Sequence, residues 1–380
     1  MWVSGLRLTD FRSYEHAEIS LAPGITTFLG QNGQGKTNLV EAVGYVAVLG
    51  SHRVATDAPL VRAGAERAVI ALDVEREDRT VLVELEINPG RTNRARINRS
   101  VVPRARDVVG IVRTVLFAPE DLSLVKGDPS DRRRYLDELL VQRAPRLLAV
   151  RADYERILKQ RNALLKSARH SPRGAGESVS RTLEVWDEQL ATAGAELVAA
   201  RVALLEQLRP ELTESYALIA GGAESVSASD VSATYQSALG PEVDVTTDRE
   251  TWRAAIAAGI ERRRAEELAR GVTLVGPHRD DVVLSLGGMP AKGFASHGEA
   301  WSIALGLRLA GLEVLRSDGE DPVLILDDVF AELDAPRRRR LTTSVADSTQ
   351  VLITAAVSED VPVELDGRRL MVTKGAVADA

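Results

Sequence analysis

Gly30-Gln31-Asn32-Gly33-Gln34-Gly35-Lys36-Thr37 has the spacing G-x-x-x-x-G-K-[ST]. Residues in this pattern hold phosphates. The glycines let backbone N–H groups turn inward on a phosphate chain, and the positive end of the following helix adds to the attraction. Lys36 reaches the β- and γ-phosphates, and Thr37 offers a hydroxyl to Mg2+. A second set is Asp327-Asp328, which closes the apolar run Val323-Leu324-Ile325-Leu326. At such a strand end, one carboxylate can hold Mg2+ through water and its neighbour can orient or deprotonate an attacking water. Asp327 takes the metal role on this reading and Asp328 the base role. A third set, Ser296-His297-Gly298-Glu299, opens a helical run. It reads as a capping box, with Glu299 reaching back to Ser296. It also reads as a second anion site, built from the Ser296 hydroxyl and the first N–H groups of the helix. The two readings are compatible. One P-loop and one further phosphate-binding helix end predict two chains sandwiching ATP, each P-loop facing the other chain's Ser296.

Elements on either side must position these residues. A short apolar strand at 25–29 feeds the P-loop, and Leu39, Val40, Val43, Val46 and Ala47 give the next helix an apolar face. Residues 67–75 and 80–87 read as paired strands around the turn 77–79, and 109–117 as an apolar strand. Six arginines and no acid lie between Arg91 and Arg106. They form either a solvated sheet edge that discourages strand pairing or a phosphate-contacting surface. Helical spacing then takes over from Arg132 to Arg270. One stripe runs from Leu136 to Ala168 with Arg143 and Arg161 as misfits, and Pro145 restarts it at a first turn. After the break Ser171–Gly176, a second stripe runs from Leu183 to Leu208 with no misfit, and a third helix covers 248–269. This insert is either an antiparallel arm or a compact helical subdomain. Strand texture returns at 272–275, in a hairpin from Val282 with Gly287-Gly288 at its turn, and in buried runs at 323–328 and 351–354. A last strand covers 369–374.

The 380 residues imply two or three domains, and 44% hydrophobic content supplies real cores. The absence of cysteine excludes disulfides, thiol catalysis and Cys-based zinc sites. With no apolar signal-peptide core at the start and no run of roughly 18 uncharged apolar residues, the chain is expected in the cytoplasm and off the membrane. Its net charge of −7 means that nucleic acid can be held only by local basic patches.

Four stretches, in order along almost the whole chain, resemble the RecF family of bacterial DNA replication and repair ATPases, relatives of the ABC, SMC and Rad50 ATPases. They are Leu6-Arg-Leu-Thr-Asp-Phe11-Arg12-Ser-Tyr14, Pro119 to Asp137, Gly276-Pro-His-Arg-Asp-Asp281 and Leu326 to Arg338. The resemblance implies an α/β fold: an ABC-type P-loop ATPase head over 1–130 and 271–380, with mixed sheets and helices, carrying an inserted α-helical arm over 131–270. It implies Walker A at Gly30–Thr37, the signature motif at Ser296, Gly298 and Glu299, Walker B at Asp327 and Asp328, and the D-loop at Ala331–Asp334. Thr354 stands where ABC transporters carry the switch histidine. The chain departs from the pattern at Ala300, often polar in the family, and in having no glutamine near Phe117–Asp121 for a Q-loop.

The activity implied is a weak, DNA-stimulated ATPase using ATP and Mg2+. The partners implied are double-stranded DNA and single/double-strand junctions, a second copy of the chain bound through ATP, and the RecR and RecO mediators of recombinase loading. Candidate DNA-contacting residues are Arg132-Arg133-Arg134 and, on the insert, Arg151, Arg156, Lys159, Arg161, Lys166 and Arg169. Arg337–Arg340 is either helix surface or a DNA or partner contact. Three rivals fit less well. An ABC transporter subunit predicts a Leu-Ser-Gly-Gly signature and a switch histidine. An SMC-like protein predicts an arm of hundreds of residues, and a metabolic kinase a phosphoacceptor pocket.

Overall fold

Alternating burial builds the first sheet. Strand β1 (Trp2–Phe11) turns its apolar residues to one face and pairs antiparallel with β2 (Tyr14–Ser20) and β4 (Ala68–Arg76). Next come β5 (Arg79–Ile87), β6 (Arg94–Ile97) and β7 (Ser100–Val101), giving the order β2-β1-β4-β5-β6-β7. The register sets Arg96 opposite Glu84 and Arg94 opposite Glu86. Two arginines of the basic run therefore lie against acids, as a solvated sheet edge requires. The computed structural model describes residues 1–77, 79–169, 177–221 and 231–380. The break Ser171–Gly176 and Asp78 of the expected turn lie outside the described residues.

The second sheet carries the nucleotide motifs. Its order is β15 (Ala376–Asp379), β14 (Arg368–Thr373), β3 (Gly24–Leu29), β13 (Gln350–Ala355), β12 (Val323–Asp327) and β8 (Thr114–Phe117). All neighbours are parallel except β14 and β15. β12 and β13 are buried along their whole length, as continuous apolar runs predict. Only β13 separates β3 from β12, so the P-loop and Asp327 emerge side by side at the same end of the sheet. Helix α1 (Lys36–Val48) fills the space between the two sheets. Its Leu39, Val43 and Val46 share a core with Leu6 and Leu8 of β1, Ile70 of β4 and Ile325 of β12.

The helical texture resolves into α2 (Leu122–Lys126), α3 (Pro129–Arg143), α4 (Arg146–Arg169), α5 (Glu177–Ala220) and α6 (Arg249–Arg270). Pro145 stands immediately before α4, where its missing N–H costs nothing. At 44 residues, α5 is roughly 66 Å long. It packs against α4, α6 and α8 (His297–Arg316). Leu197, Leu204, Leu208 and Leu212 of α5 share one core with Leu305 and Leu312 of α8, Leu326 of β12 and Ile353 of β13. α5 is thus packed directly on α8 and the second sheet. α9 (Ala335–Val345) closes the chain's helical part after Walker B.

Three local expectations differ from the structure. Only Thr114–Phe117 of the apolar run 109–117 is a strand, because Gly110 turns the chain at φ 90 and Val112 packs into the core behind α1. Residues 272–275 form no strand, since Asn162 Oδ1 accepts from Thr273 N and Glu267 Oε1 from Leu274 N, which leaves no ladder to make. The supposedly all-helical stretch also contains β9 (Val231–Gln236), which pairs with β10 (Asp281–Leu286) beside β11 (Met289–Pro290). Its strict in–out burial at Val231, Ala233 and Tyr235 was a readable period-2 signal. A single short turn, α7 (Ala291–Phe294), leads into α8.

Candidate ATP site

The P-loop leaves β3 on left-handed glycines. Gly30 has φ 152, and a Cβ there would lie 2.3 Å from the Val372 carbonyl. Gly35 has φ 109, and a Cβ there would lie 2.9 Å from the Tyr14 hydroxyl, which itself donates to Gly35 O at 3.1 Å. These positions admit only glycine, and the backbone they shape is a concave cradle. Gln34 anchors it from outside: its Oε1 accepts from Lys374 N at 2.7 Å and its carbonyl from Gly375 N at 3.3 Å. Lys36, 4% exposed, points into the cradle. Its ammonium donates to Gly30 O at 2.7 Å and to Gln31 O and Asn32 Oδ1 at 3.4 Å. These neutral acceptors are weak partners for a buried cation, which a phosphate oxygen can displace.

Thr37 Oγ1, on the first turn of α1, donates to Asp327 Oδ1 at 2.9 Å across 290 positions of sequence. Thr354 Oγ1 donates to the same oxygen at 2.6 Å and accepts from Asp328 N at 3.0 Å. Thr354 therefore fixes both aspartates at once. His52, which the sequence did not point to, stands with Nε2 3.7 Å from Asp327 Oδ2. Burial alone favours the neutral form of Asp327, but His52, Thr354 and Thr37 outweigh it and hold the carboxyl below its usual range. Asp328 behaves oppositely. Burial and the adjacent Asp327 charge raise it, against the pull of Lys36. Adjacent carboxylates with oppositely displaced acidities suit one metal-holding group and one proton acceptor. Asp328 also sits at φ 49, in the left-handed region. Thr37 and Asp327 offer hard oxygen donors beside a phosphate cradle, the donor set that Mg2+ takes when phosphates complete its shell.

The signature segment forms a reciprocal capping box. Glu299 N donates to Ser296 Oγ at 3.3 Å, and Ser296 N to Glu299 Oε2 at 2.7 Å. Those bonds to Ser296 hold the Glu299 carboxyl below its usual pKa. Ser296 and His297 are exposed and Gly298 is half-buried. Among the described residues, no hydrogen bond or ion pair joins Ser296–Glu299 to Gly30–Thr37. Each motif is complete in itself and faces solvent. Where a Q-loop was sought, Asp121 accepts from Arg308 of α8 at 2.6 Å, so this segment is tied directly to the signature helix.

Residues 2–368 match the RecF/RecN/SMC N-terminal domain family. DNA replication and repair protein RecF from Frankia alni is 57% identical over 380 residues, covering 100% of both chains. The Kineococcus radiotolerans RecF is 59% identical with 99% of each covered. The chain belongs to the RecF family of DNA replication and repair proteins. A solved structure of the recombination mediator protein RecF with ATP, from the RecFOR pathway, superposes with TM-score 0.88 at 27% identity, covering 100% of this chain and 97% of that one. An SMC head from Pyrococcus furiosus shares the fold at TM-score 0.53 and 17% identity, with 100% of this chain and 96% of that one covered. The chain therefore has the ABC-type ATPase head fold, and Gly30–Thr37, Ser296–Glu299 and Asp327-Asp328 sit on it. No described helix is long and apolar enough to cross a membrane.

The RecF-like basic residues part company. Arg132 is 7% exposed and gives both arms of its guanidinium to Asp281 at 2.8 and 2.9 Å. Arg161 is fully buried, bonding Asp187 at 2.7 Å, Thr273 Oγ1 at 2.8 Å and Glu267 at 2.5 Å. Neither can reach a phosphate, which corrects their reading as DNA contacts: a buried cation needs fixed acids around it. Asp281 is 149 positions from Arg132, and Asp187 and Glu267 are 26 and 106 from Arg161. Arg134, Arg156 and Arg169 remain at the surface. Within Arg337–Arg340, Arg337 bonds Ser302 Oγ at 2.9 Å, Arg338 the Phe330 carbonyl and Arg340 the Ile219 carbonyl, both at 2.8–2.9 Å. This run knits α9 to α8 and α5.

Proposed function

We propose that ATP and Mg2+ join two copies of this chain, that the paired surface grips duplex DNA or a single/double-strand junction, and that slow hydrolysis releases it. The carrying observation is the division of the site. The P-loop and the exposed Ser296 end of α8 are each preformed and mutually unconnected within one chain. A phosphate chain held by one copy can accept donors from Ser296 and the first N–H groups of the other copy's α8.

In this reading, Gly30, Gln31, Asn32, Gly33, Gln34 and Gly35 wrap the phosphates with N–H groups, and Lys36 exchanges the Gly30 carbonyl for a phosphate oxygen. Thr37 and, through water, Asp327 would hold Mg2+, and the ion would supply positive charge against the phosphates. Asp328 accepts the proton of the attacking water, helped by the raised pKa that burial gives it. Ser296, Gly298 and Glu299 of the second copy close the site and exclude solvent. The head over 1–130 and 271–380 carries this chemistry, and the insert over 131–270 transmits it to DNA. RecF relatives named for DNA replication and repair, and solved RecF of the RecFOR pathway, support DNA as substrate and RecR and RecO as partners.

The test is duplex-DNA binding with ATP, with ADP and without nucleotide. The clamp predicts tight binding with ATP alone. Equal affinity in all three conditions rejects it.

A further inference from the structure

A cavity of about 300 Å3 opens between α3, α4, α5 and the loop before β10. Four arginines line it: Arg133, Arg134, Arg151 and Arg201. Only two acids share the lining, Asp137 and Glu155. Asp137 is used up by Arg201, which grips it with two bonds at 2.8 and 2.9 Å. Glu155 lies 3.5 Å from Arg151 and is mostly exposed. Arg134 has one long contact, 3.7 Å to Asp131, and is half exposed.

Arg133 is the unusual member. It is half-buried, and its one hydrogen bond goes to a backbone carbonyl, Asp280 O, at 2.6 Å. Among the described residues it has no carboxylate partner, although three carboxylates are near enough to feel its charge. Each of these is already claimed. Asp280 accepts from Tyr235 OH at 2.7 Å and from Ala238 N at 2.8 Å. Asp281 holds Arg132, and Asp137 holds Arg201. Burial and the neighbouring Arg201 both disfavour the charged form of Arg133. A guanidinium so placed has free N–H groups and lacks a counter-anion, and its planar fork matches a phosphate.

We propose that this cavity takes a backbone phosphate of nucleic acid, held by Arg133 with Arg134 and Arg151 at its rim. The assignment rests on the DNA-clamp reading above and adds the residues that make the contact. Position favours it. Arg134 and Arg151 also line the adjoining cleft of about 490 Å3, with Glu138 and His52, and His52 stands 3.7 Å from Asp327. A phosphate at Arg133 therefore adjoins a cleft lined by His52, the residue that touches Asp327.

The test measures duplex-DNA affinity of the full-length chain with ATP across a salt series. Arg133→Gln is expected to bind roughly five-fold more weakly near 150 mM salt and to reduce the slope of log affinity against log salt by about one. Arg133→Lys should recover most of the loss. Arg253→Gln, a surface arginine of α6 paired with Glu250, should leave both quantities unchanged. Thermal melting and ATP binding check that the variants fold. A wild-type slope and affinity in Arg133→Gln overturns the proposal. A second arm uses inorganic tripolyphosphate in a calorimeter, on the Lys36→Ala chain so that the P-loop is silenced. Heat that disappears in Lys36→Ala/Arg133→Gln supports the cavity as a phosphate site, and no heat in Lys36→Ala overturns it. Heat without any effect of Arg133→Gln on DNA binding assigns the cavity to a free polyphosphate and rejects the nucleic-acid contact. If the wild type binds no DNA with ATP, the clamp reading fails, and the calorimetric arm still decides the cavity.

Discussion

Two Asp-Asp pairs lie at strand ends in this molecule, and their partners give them different work. Asp327-Asp328 closes β12, and Asp280-Asp281 opens β10. Asp327 is bonded by two hydroxyls, those of Thr37 and Thr354. Hydroxyls are neutral and can rotate, so the carboxylate can trade them for a metal shell at small cost. Asp281 is gripped by the fork of Arg132, and Asp280 by Tyr235 and a backbone N–H. Those bonds are charge-assisted or buried, and breaking them strands a partner in the interior. The same dipeptide is thus a replaceable ligand set in one place and a fixed joint between insert and head in the other. The pair's neighbours, more than the pair, assign the function.

Substitutions can break this contrast from either side. The largest effect is expected at Asp328. Asp328→Asn should slow ATP hydrolysis by about 10^2–10^4-fold while ATP still binds, as measured by phosphate release and nucleotide titration. Hydrolysis near the wild-type rate would remove Asp328 from the base role. Asp281→Ala should instead act on stability, costing about 3 kcal/mol in urea unfolding because Arg132 is left buried without its acid. ATP affinity of the folded fraction should not change, and a selective loss of ATP binding would erase the distinction between the pairs.

The next effect is a pH dependence, centred on His278 beside Asp280. Burial, together with the nearby Arg279, Arg133 and Arg161, pushes its pKa down to about 4, against an ordinary 6.5. The unfolded chain then binds the proton that the native chain refuses. Stability from this group is fully present above about 6.5 and falls as pH drops towards about 4, by on the order of 2–3 kcal/mol. His278→Gln should flatten that part of the stability–pH curve, and an unchanged curve would place the acid sensitivity elsewhere. The smallest effect belongs to Thr354→Val, which removes one hydroxyl from Asp327 and one acceptor from Asp328 N. A loss of about 1–2 kcal/mol, or roughly ten-fold in hydrolysis, is expected with little change in melting temperature. A large stability loss with normal hydrolysis would make Thr354 a structural joint like Tyr235.

What was legible in the sequence followed from local spacing. Gly30 to Thr37 announces itself because phosphate binding fixes the residue type at four of eight consecutive positions. Val323–Asp328 does so because a strand buried on both faces must be apolar until it ends. The stripes of α4 and α5 were readable for the same reason. Arg132 and Arg161 were not, since the acids that neutralise them come from β10, α5 and α6, distant in sequence. Arg161 did leave a trace: an arginine on an apolar stripe signals a buried charge that must find acids. His52 left none, because its approach to Asp327 depends wholly on how the loop after α1 folds back. The unpaired state of Arg133 is likewise a property of the assembled fold, fixed by which acids its neighbours have already taken.

The central claim is that Lys36 and Ser296 act on one nucleotide from two chains, and a mixing experiment tests it most directly. Lys36→Ala and Ser296→Ala chains should each hydrolyse ATP poorly alone. In a mixed dimer, the intact P-loop of the second faces the intact signature of the first, which rebuilds one complete site. An equal mixture should therefore recover about a quarter of wild-type hydrolysis, one site in the half of dimers that are mixed. If the mixture hydrolyses no faster than the average of its two components, the site is not shared between chains.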